Sequence, residues 1–73
     1  MSMTPQEIGR TVRKTRKAHG LRQQQLAGAA GVGLRFLSEL EAGKPTAQLG
    51  KTLAVLATLG ITLELREPGD NQR

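Results

Sequence analysis

A chain of 73 residues with no cysteine and one histidine can form one small domain, without disulfides, zinc clusters or thiol catalysis. Its formal net charge of +5 is uneven, because residues 1–51 hold nine Lys and Arg against three Glu, which favours nucleic acid over a membrane as partner. The apolar stretches are shorter than the ~20 residues that span a bilayer, so we expect a soluble, cytoplasmic protein. We also expect no cofactor.

Capping residues and glycines divide the chain into helices. Thr4, Pro5 and Glu7 have the pattern of a reciprocal capping box, in which a hydroxyl and a carboxylate each accept from a backbone N–H. The first helix therefore begins near Pro5, and it should end at Gly20, because glycine adopts the left-handed conformation at no steric cost. Three later glycines repeat this signal and predict four short helices in all: Gly31, Gly43 and Gly60.

Each predicted helix has an apolar stripe at helical spacing, which marks the face that packs into a core. The stripes are Ile8 and Val12; Leu26 and Ala30; Leu37 and Leu40; and Leu49, Leu53 and Leu56. We expect these four faces to build one shared core.

The segment QQQLAGAAGVGLRFLSELEA, residues 23–42, has a more specific pattern. Apolar residues, a small residue and a turn glycine fall where two helices joined by a three- to four-residue turn need them: Leu26, Ala27, Ala30, Gly31, Val32, Leu37 and Leu40. With Leu21, Gln23, Ser38, Glu41 and Gly43, the segment resembles the helix-turn-helix family of the Cro and phage-repressor type, or XRE family. The resemblance implies an all-α, lambda-repressor-like domain of four to five helices over residues 4–60 that binds double-stranded operator DNA.

Two residues depart from the family pattern. Gly33 caps the second helix of the motif, where glycine is tolerable but weaker than serine. Arg22 stands before the first helix of the motif, where it removes a capping hydroxyl and adds a positive charge on the side that faces the DNA backbone in this fold.

Two charged residues lie on the flanks of apolar stripes, where a charge is costly unless it is paired. They are Arg16, near the end of the first helix, and Glu41, at the end of the third. The resemblance implies that they form a structural ion pair. The alternative is that Arg16 belongs to a phosphate-binding run with Arg13 and Lys17.

The third helix presents the candidate base-reading residues, because Arg35, Ser38 and Glu39 point away from its apolar stripe and Leu34 lies near the edge. In helix-turn-helix proteins the N-terminal end of this helix enters the major groove, so Arg35 is placed to bind guanine. Leu34 could contact a thymine methyl, and Ser38 a base or a phosphate. Glu39 either accepts from a cytosine amine, repels wrong registers or is a solvated surface acid.

Contacts to the DNA backbone are expected from helix N-termini and from the loop after the third helix. The resemblance implies such a contact for Gln23, and its neighbours should act likewise. The predicted phosphate contacts are Arg22, Gln23, Gly33, Lys44 and Thr46. The cations Arg10, Arg13, Lys14 and Lys17 of the first helix would add non-specific attraction or be merely solvated, and binding should be steeply salt-dependent.

The end of the chain alternates as a β-strand does, with Ile61, Leu63 and Leu65 between polar residues. A strand in an otherwise helical chain needs a partner. We predict that residues 61–67 form a dimerisation strand that pairs with its own copy in a homodimer, and that residues 68–73 are a flexible tail. The alternative is a frayed, unpaired terminus.

This strand, and two extra residues before the fourth helix in GKPTAQLGK, are similar to HipB antitoxins of HipAB toxin–antitoxin modules. The resemblance implies a dimeric repressor that regulates its own operon and binds a HipA-like serine/threonine kinase toxin. A stand-alone or phage-type repressor without a toxin is the main alternative, and a protein-binding adaptor is another.

The sequence argues against two other classes of protein. An enzyme is disfavoured, because no candidate nucleophile has a base beside it and His19 is isolated. An RNA-binding module is disfavoured, because the only aromatic residue, Phe36, is expected in the core. We therefore predict no catalytic and no metal site.

Overall fold

The chain folds into helices joined by short turns. The computed structural model describes residues 3–69, and every structural statement below concerns this part of the chain. Its helices are α1 (Pro5–Ala18), α2 (Gln23–Ala30), α3 (Leu34–Glu41) and α4 (Leu49–Leu59). The predicted all-α helix-turn-helix architecture is confirmed, with four helices in the described residues.

The helix boundaries follow the caps and glycines of the sequence. At the start of α1, Thr4 Oγ1 accepts from the Glu7 N–H and Glu7 Oε1 accepts from the Thr4 N–H, both at 3.1 Å. Each helix is followed by a glycine with φ between 72° and 90°: Gly20, Gly31, Gly43 and Gly60. The next N–H then returns to a carbonyl inside the helix, as Lys44 does to Glu39 at 3.0 Å, which ends the helix.

One face of each helix contributes to the core. The buried hydrophobic residues are Val12, Leu26, Ala27, Leu37, Leu40, Val55, Leu56 and Leu59. Both α1 and α2 pack against α3 and α4, so the two helices of the turn motif, α2 and α3, are supported by the outer pair. Burying a leucine side chain contributes roughly 1.5–3 kcal/mol, so these contacts fix the orientation of α3 on the rest of the domain.

The sequence prediction is wrong for two leucines of α4. Leu49 and Leu53 are 68% and 41% exposed, and the buried stripe is instead Thr52, Val55, Leu56 and Leu59. Both stripes have helical spacing, because α4 is apolar around most of its circumference. Packing against α1 and α2 selects one of them. Although α4 is apolar, no helix in residues 3–69 is long and apolar enough to cross a membrane.

Helices α1 and α3 approach each other closely at Gly9. This glycine is buried, and a Cβ atom there would overlap two carbonyl oxygens of α3, lying only 2.8 Å from that of Glu41. Glycine is needed because the two backbones touch. No sequence prediction concerned Gly9, although a glycine inside a helix costs about 1 kcal/mol relative to alanine and so points to a packing requirement. The contact holds the C-terminal end of α3 against α1.

The segment after α4 has no regular secondary structure in the single chain. Residues 61–67 form no strand, so the predicted strand is absent without a second copy. Ile61 is half-buried and packs against the core, whereas Leu63 and Leu65 are 40% and 87% exposed. A monomer therefore leaves two of the three predicted dimerisation residues in water. Of the predicted tail, residues 70–73 lie outside the described residues.

Candidate nucleic-acid interface

The outer face of α3 carries the predicted base-reading residues. Leu34 and Arg35 lie in its first turn, directly after the turn that joins it to α2. The Arg35 side chain is 91% exposed, and Leu34 and Ser38 are also exposed. Glu39 lies one turn further along and is partly covered. The N-terminal half of α3 thus presents an extended arginine, flanked by a leucine and a serine, to a ligand.

Arg16 and Glu41 form a buried, bidentate ion pair between α1 and the end of α3. Arg16 Nε donates to Glu41 Oε2 at 2.6 Å, Arg16 Nη2 donates to Glu41 Oε1 at 3.0 Å, and both side chains are less than 10% exposed. Arg16 Nη1 donates to the Leu21 carbonyl at 2.9 Å. Hydrogen bonds to Glu41 raise the pKa of Arg16 against the opposing effect of burial. With a protein partner on each nitrogen, Arg16 is not placed to bind a phosphate.

Gln23, the first residue of α2, joins this pair, because its Nε2 donates to Glu41 Oε1 at 3.0 Å. Burial acts to raise the pKa of Glu41, but the hydrogen bonds from Arg16 and Gln23 outweigh burial, and the net shift is downward. Glu41 is therefore charged at neutral pH. The Gln23 side chain, predicted to bind a phosphate, is held by Glu41 in the free protein, and the second N–H of its amide is left for another acceptor.

A second ion-pair network lies on the exposed side of α3. Lys44 Nζ donates to Glu39 Oε1 at 3.0 Å, and Arg35 Nε donates to Glu39 Oε2 at 3.4 Å. The hydrogen bond from Lys44 is the main cause of a lowered pKa of Glu39; desolvation opposes it, and the charge of Lys44 and the contact with Arg35 add to it. Both oxygens of Glu39 are thus engaged by residues predicted to bind DNA.

A polar groove between α1 and α3 brings further predicted residues together. Its lining residues are Arg13, Arg16, Gln23, Ser38, Glu41 and Ala42. Arg13 and Ser38 are exposed, as are Arg10, Lys14 and Lys17 of α1. A cation of α1 therefore shares one surface with the outer face of α3 and with the N-terminus of α2.

The other predicted phosphate contacts lie at helix N-termini and in the α3–α4 loop. Arg22 is the exposed N-cap of α2, and Gln25 Oε1 accepts from its N–H at 2.8 Å. Gly33 is the N-cap of α3, with open space where a side chain would be. No N-cap side chain accepts from the first N–H groups of either helix, so these groups stay available to an anion. Thr46, in the loop with Lys44, is exposed.

Lys51 of α4 is a cation near α3 that no sequence prediction included. Its Nζ lies 5.7 Å from the ring centre of Phe36, which is half-buried at the edge of the core. A cation over an aromatic face is a favourable contact, so this pair links α4 to the exposed helix. No local pattern predicts this contact, because a helix end and a loop separate the two residues.

The fold and this surface define a class of protein: a DNA-binding helix-turn-helix protein of the transcriptional-regulator type. No cluster of His, Cys, Asp or Glu that could hold a metal ion occurs in residues 3–69. A family model described as a helix-turn-helix domain matches residues 7–68. The chain belongs to the helix-turn-helix family, and the predicted XRE-type motif is confirmed.

One relative and several solved structures place the chain more closely. It is 57% identical over 70 residues to the "Uncharacterized HTH-type transcriptional regulator y4mF" of Sinorhizobium fredii (strain NBRC 101917 / NGR234), over 96% of this chain and 92% of that protein. Structures described as "HipB-O4 20mer complex" and "Structure of HipA-HipB-O2-O3 complex" each match with a TM-score of 0.81 and 19% identity, over 93% of this chain and 96% of theirs. The predicted similarity to HipB is thus confirmed at the level of the fold.

Proposed function

We propose that the chain is a sequence-specific transcriptional repressor that reads operator DNA with the N-terminal half of α3. The observation that carries the proposal is the exposed Arg35 in the first turn of a recognition helix whose inner face is fully packed. A bidentate Arg–guanine contact is worth roughly 1–3 kcal/mol against a wrong base. Leu34 and Ser38 supply neighbouring contacts. Because the partner is DNA, we propose a location in the cytoplasm, at the nucleoid.

Phosphate contacts in this proposal come from both ends of the turn motif. The uncapped N-termini of α2 and α3 offer backbone N–H groups, Gln23 offers its free amide hydrogen, and Lys44 and Thr46 follow α3. Such contacts fix orientation without reading sequence, and they make affinity fall as salt rises. Exposed cations of α1 support the same conclusion, because they add attraction for any duplex.

The base-reading role is tested by Arg35→Ala, with Arg10→Ala as a control that removes the same charge from α1. Duplexes selected by the wild-type protein from a randomised pool are compared with random duplexes in binding titrations. Arg35→Ala should lower the preference for the selected sequence by roughly tenfold or more, leaving weak, salt-sensitive binding. Arg10→Ala should weaken both kinds of duplex alike. An equal loss on both for Arg35→Ala would contradict base reading.

We further propose that the repressor is a homodimer, in which residues 61–67 of two copies pair as antiparallel strands. The exposed Leu63 and Leu65 support this, because a second copy would remove them from water. An apolar groove lined in part by Met3, Ile8, Ile61 and Leu63 runs beside the segment. Two copies would also present two recognition helices to two half-sites, as operator recognition by such domains requires.

The dimer is tested by Leu65→Glu in the full chain, with Thr62→Glu as a matched control. Light scattering should show a dimer for the wild-type protein and the control, and a monomer for Leu65→Glu, because a charge would replace an apolar contact at the interface. Deletion of residues 61–73 should give the same monomer. A dimer that survives both changes would rule out the strand pairing.

The most specific proposal is that the chain is the antitoxin of a HipA-like serine/threonine kinase toxin and represses its own operon. Support comes from the match to HipB structures over nearly their whole length, one of which contains HipA. The test is whether the reading frame beside this gene encodes a kinase-like protein that co-purifies with the chain and is inhibited by it.

A stand-alone repressor is the second candidate. The relative that is 57% identical is named as a transcriptional regulator, a role that requires no toxin. Absence of a kinase-like neighbour, with operator binding intact, would decide for this candidate. Both proposals share the DNA-binding surface of α3, so the Arg35 experiment holds for either.

A further inference from the structure

Glu39 lies between the two cations that the proposed function assigns to a base and to a phosphate. Its carboxylate accepts from Arg35 at one oxygen and from Lys44 at the other. An acid on a surface that binds a polyanion opposes binding through its charge. A role in DNA recognition would explain why Glu39 lies on that surface in contact with both cations.

The contact with Arg35 leaves one parallel pair of donors, Nη1 and Nη2, available for guanine. Arg35 donates through Nε, which leaves both terminal Nη groups free. A guanidinium presents its donors in a rigid fork, and two parallel donors match O6 and N7 of guanine. A carboxylate on Nε fixes the plane of this fork. At 3.4 Å in water the contact is long, and exclusion of water by DNA strengthens it.

The contact with Lys44 disfavours a direct contact between the Glu39 carboxylate and a base. Lys44 Nζ lies 3.0 Å from Glu39 Oε1, so a cytosine amine would have to compete with it for that oxygen. The ammonium group also offsets the carboxylate charge near the phosphates. Lys44 follows directly on the Gly43 turn that ends α3, which keeps its backbone at a fixed distance from Glu39.

Helix stability does not account for the arrangement. Arg35 precedes Glu39 by four positions, and this order of base and acid is the less favourable one along a helix. The Arg35 side chain is also 91% exposed, so the pair adds little to folding.

We infer that Glu39 is a positioning residue that sets base specificity through Arg35 and reads no base itself. Glu39 orients the Arg35 guanidinium for guanine, and Lys44 balances the negative charge of Glu39. The inference deepens the proposed function and rests on it. It replaces the sequence hypothesis that Glu39 accepts from a cytosine amine.

The test is a double-mutant cycle of Glu39→Gln and Arg35→Ala in the full-length protein, with circular dichroism to verify folding. Wild-type protein first selects duplexes from a randomised pool, and all variants are then titrated on the selected duplex, its single-base variants and random duplex. Glu7→Gln, which changes the net charge equally at the start of α1 and keeps an acceptor for the capping box, is the control.

Glu39→Gln should reduce discrimination by roughly tenfold at the base pair that Arg35 reads, within the range of a bidentate Arg–guanine contact, while affinity for random duplex rises. In the Arg35→Ala background it should cause no further loss of discrimination. Glu7→Gln should leave discrimination unchanged.

Two outcomes would overturn the inference alone: unchanged discrimination for Glu39→Gln, or a loss at another base pair that persists in the Arg35→Ala background. The first would make Glu39 a solvated acid, and the second a direct base contact. If the wild-type protein selects no sequence from the pool, the proposed function itself fails.

Discussion

Glu39 and Glu41 lie two positions apart on α3, and they have the same side chain in opposite surroundings. The Glu41 side chain is 4% exposed and accepts from Arg16 and Gln23 inside the domain. The Glu39 side chain is 37% exposed and accepts from Arg35 and Lys44 on the surface. The number of partners is similar, so burial determines the difference. A buried carboxylate holds helices together, whereas an exposed one orients side chains toward a ligand.

The physical reason is the cost of desolvation. Breaking a buried ion pair leaves an uncompensated charge in a medium of low dielectric constant, which costs about 3–5 kcal/mol. Breaking an exposed pair returns both groups to water and costs little. The comparison therefore predicts opposite consequences for the same substitution at the two positions.

The largest effect is expected from Glu41→Gln, with Glu39→Gln as its matched control. Glu41→Gln should lower the free energy of unfolding by about 3 kcal/mol, because Arg16 stays buried without a counter-charge. A domain of this size is stable by roughly 4–11 kcal/mol, so the loss is a large share of the total. Urea unfolding followed by circular dichroism measures it. Glu39→Gln should leave the urea midpoint almost unchanged, and similar losses for both variants would contradict the comparison.

The second-largest effect on stability is expected at Gly9, where the backbones of α1 and α3 touch beside Glu41. Gly9→Ala should lower the free energy of unfolding by about 1–3 kcal/mol, because the added methyl group overlaps the Leu40 and Glu41 carbonyls. Gly28→Ala is the control, since Gly28 lies exposed within α2 with nothing near its missing side chain.

Gly28→Ala should raise the free energy of unfolding by about 0.5–1 kcal/mol through helix propensity. The two variants make the same chemical change in two helices, so opposite signs in urea unfolding isolate the close approach of α1 and α3. If both substitutions raised the free energy of unfolding, α1 would be able to move away from α3 without loss of stability.

A smaller effect is expected on acidification. The pKa of Glu41 is lowered in the folded state, so its contribution to stability is complete above the unfolded value of about 4.3 and is lost as pH falls through the folded pKa. Both proteins compared carry the stabilising Gly28→Ala substitution. The urea midpoint of the protein that keeps Glu41 should therefore fall between pH 7 and pH 3, and that of the protein with Glu41→Gln should fall less. An equal fall in both would assign acid sensitivity to other carboxylates.

Much of the fold could be predicted from the sequence, because local signals specify it. The capping box of Thr4 and Glu7 and the glycines after each helix act within a few residues of their own position. The buried faces of α1 to α3 were also predictable, because polar residues mark the opposite faces. The buried face of α4 was not, since Leu49 and Leu53 compete with Val55 and Leu59 in an almost wholly apolar helix.

The candidate site was only partly predictable, for a similar reason. Spacing on a wheel places Arg35 and Ser38 outside, and family resemblance suggests the partner of Arg16. Contacts between helices and loops depend on the folded arrangement. The hydrogen bond from Gln23 to Glu41 and the one from Lys44 to Glu39 join residues from different elements, so no local pattern predicts them.

The smallest expected effect is a shift in the pKa of Glu39. This shift distinguishes the surface network around Glu39 from the buried network around Glu41. Lys44→Gln should raise the pKa of Glu39 toward the ordinary glutamate value, because the hydrogen bond from Lys44 is the main cause of its depression. The pKa of Glu41 should not change, since its partners are Arg16 and Gln23. Carboxyl-carbon NMR titration measures both, and Lys51→Gln removes the same charge as a control.

A shift of Glu39 that is as large in Lys51→Gln would mean that the general positive field, and not the Lys44 contact, lowers its pKa. A shift of Glu41 in Lys44→Gln would mean that the two carboxylates are coupled along α3. The expected result, a change confined to Glu39, requires that the buried pair is insulated from the surface that we propose to contact DNA. Substitutions on the recognition face could then alter sequence preference without lowering the stability of the domain.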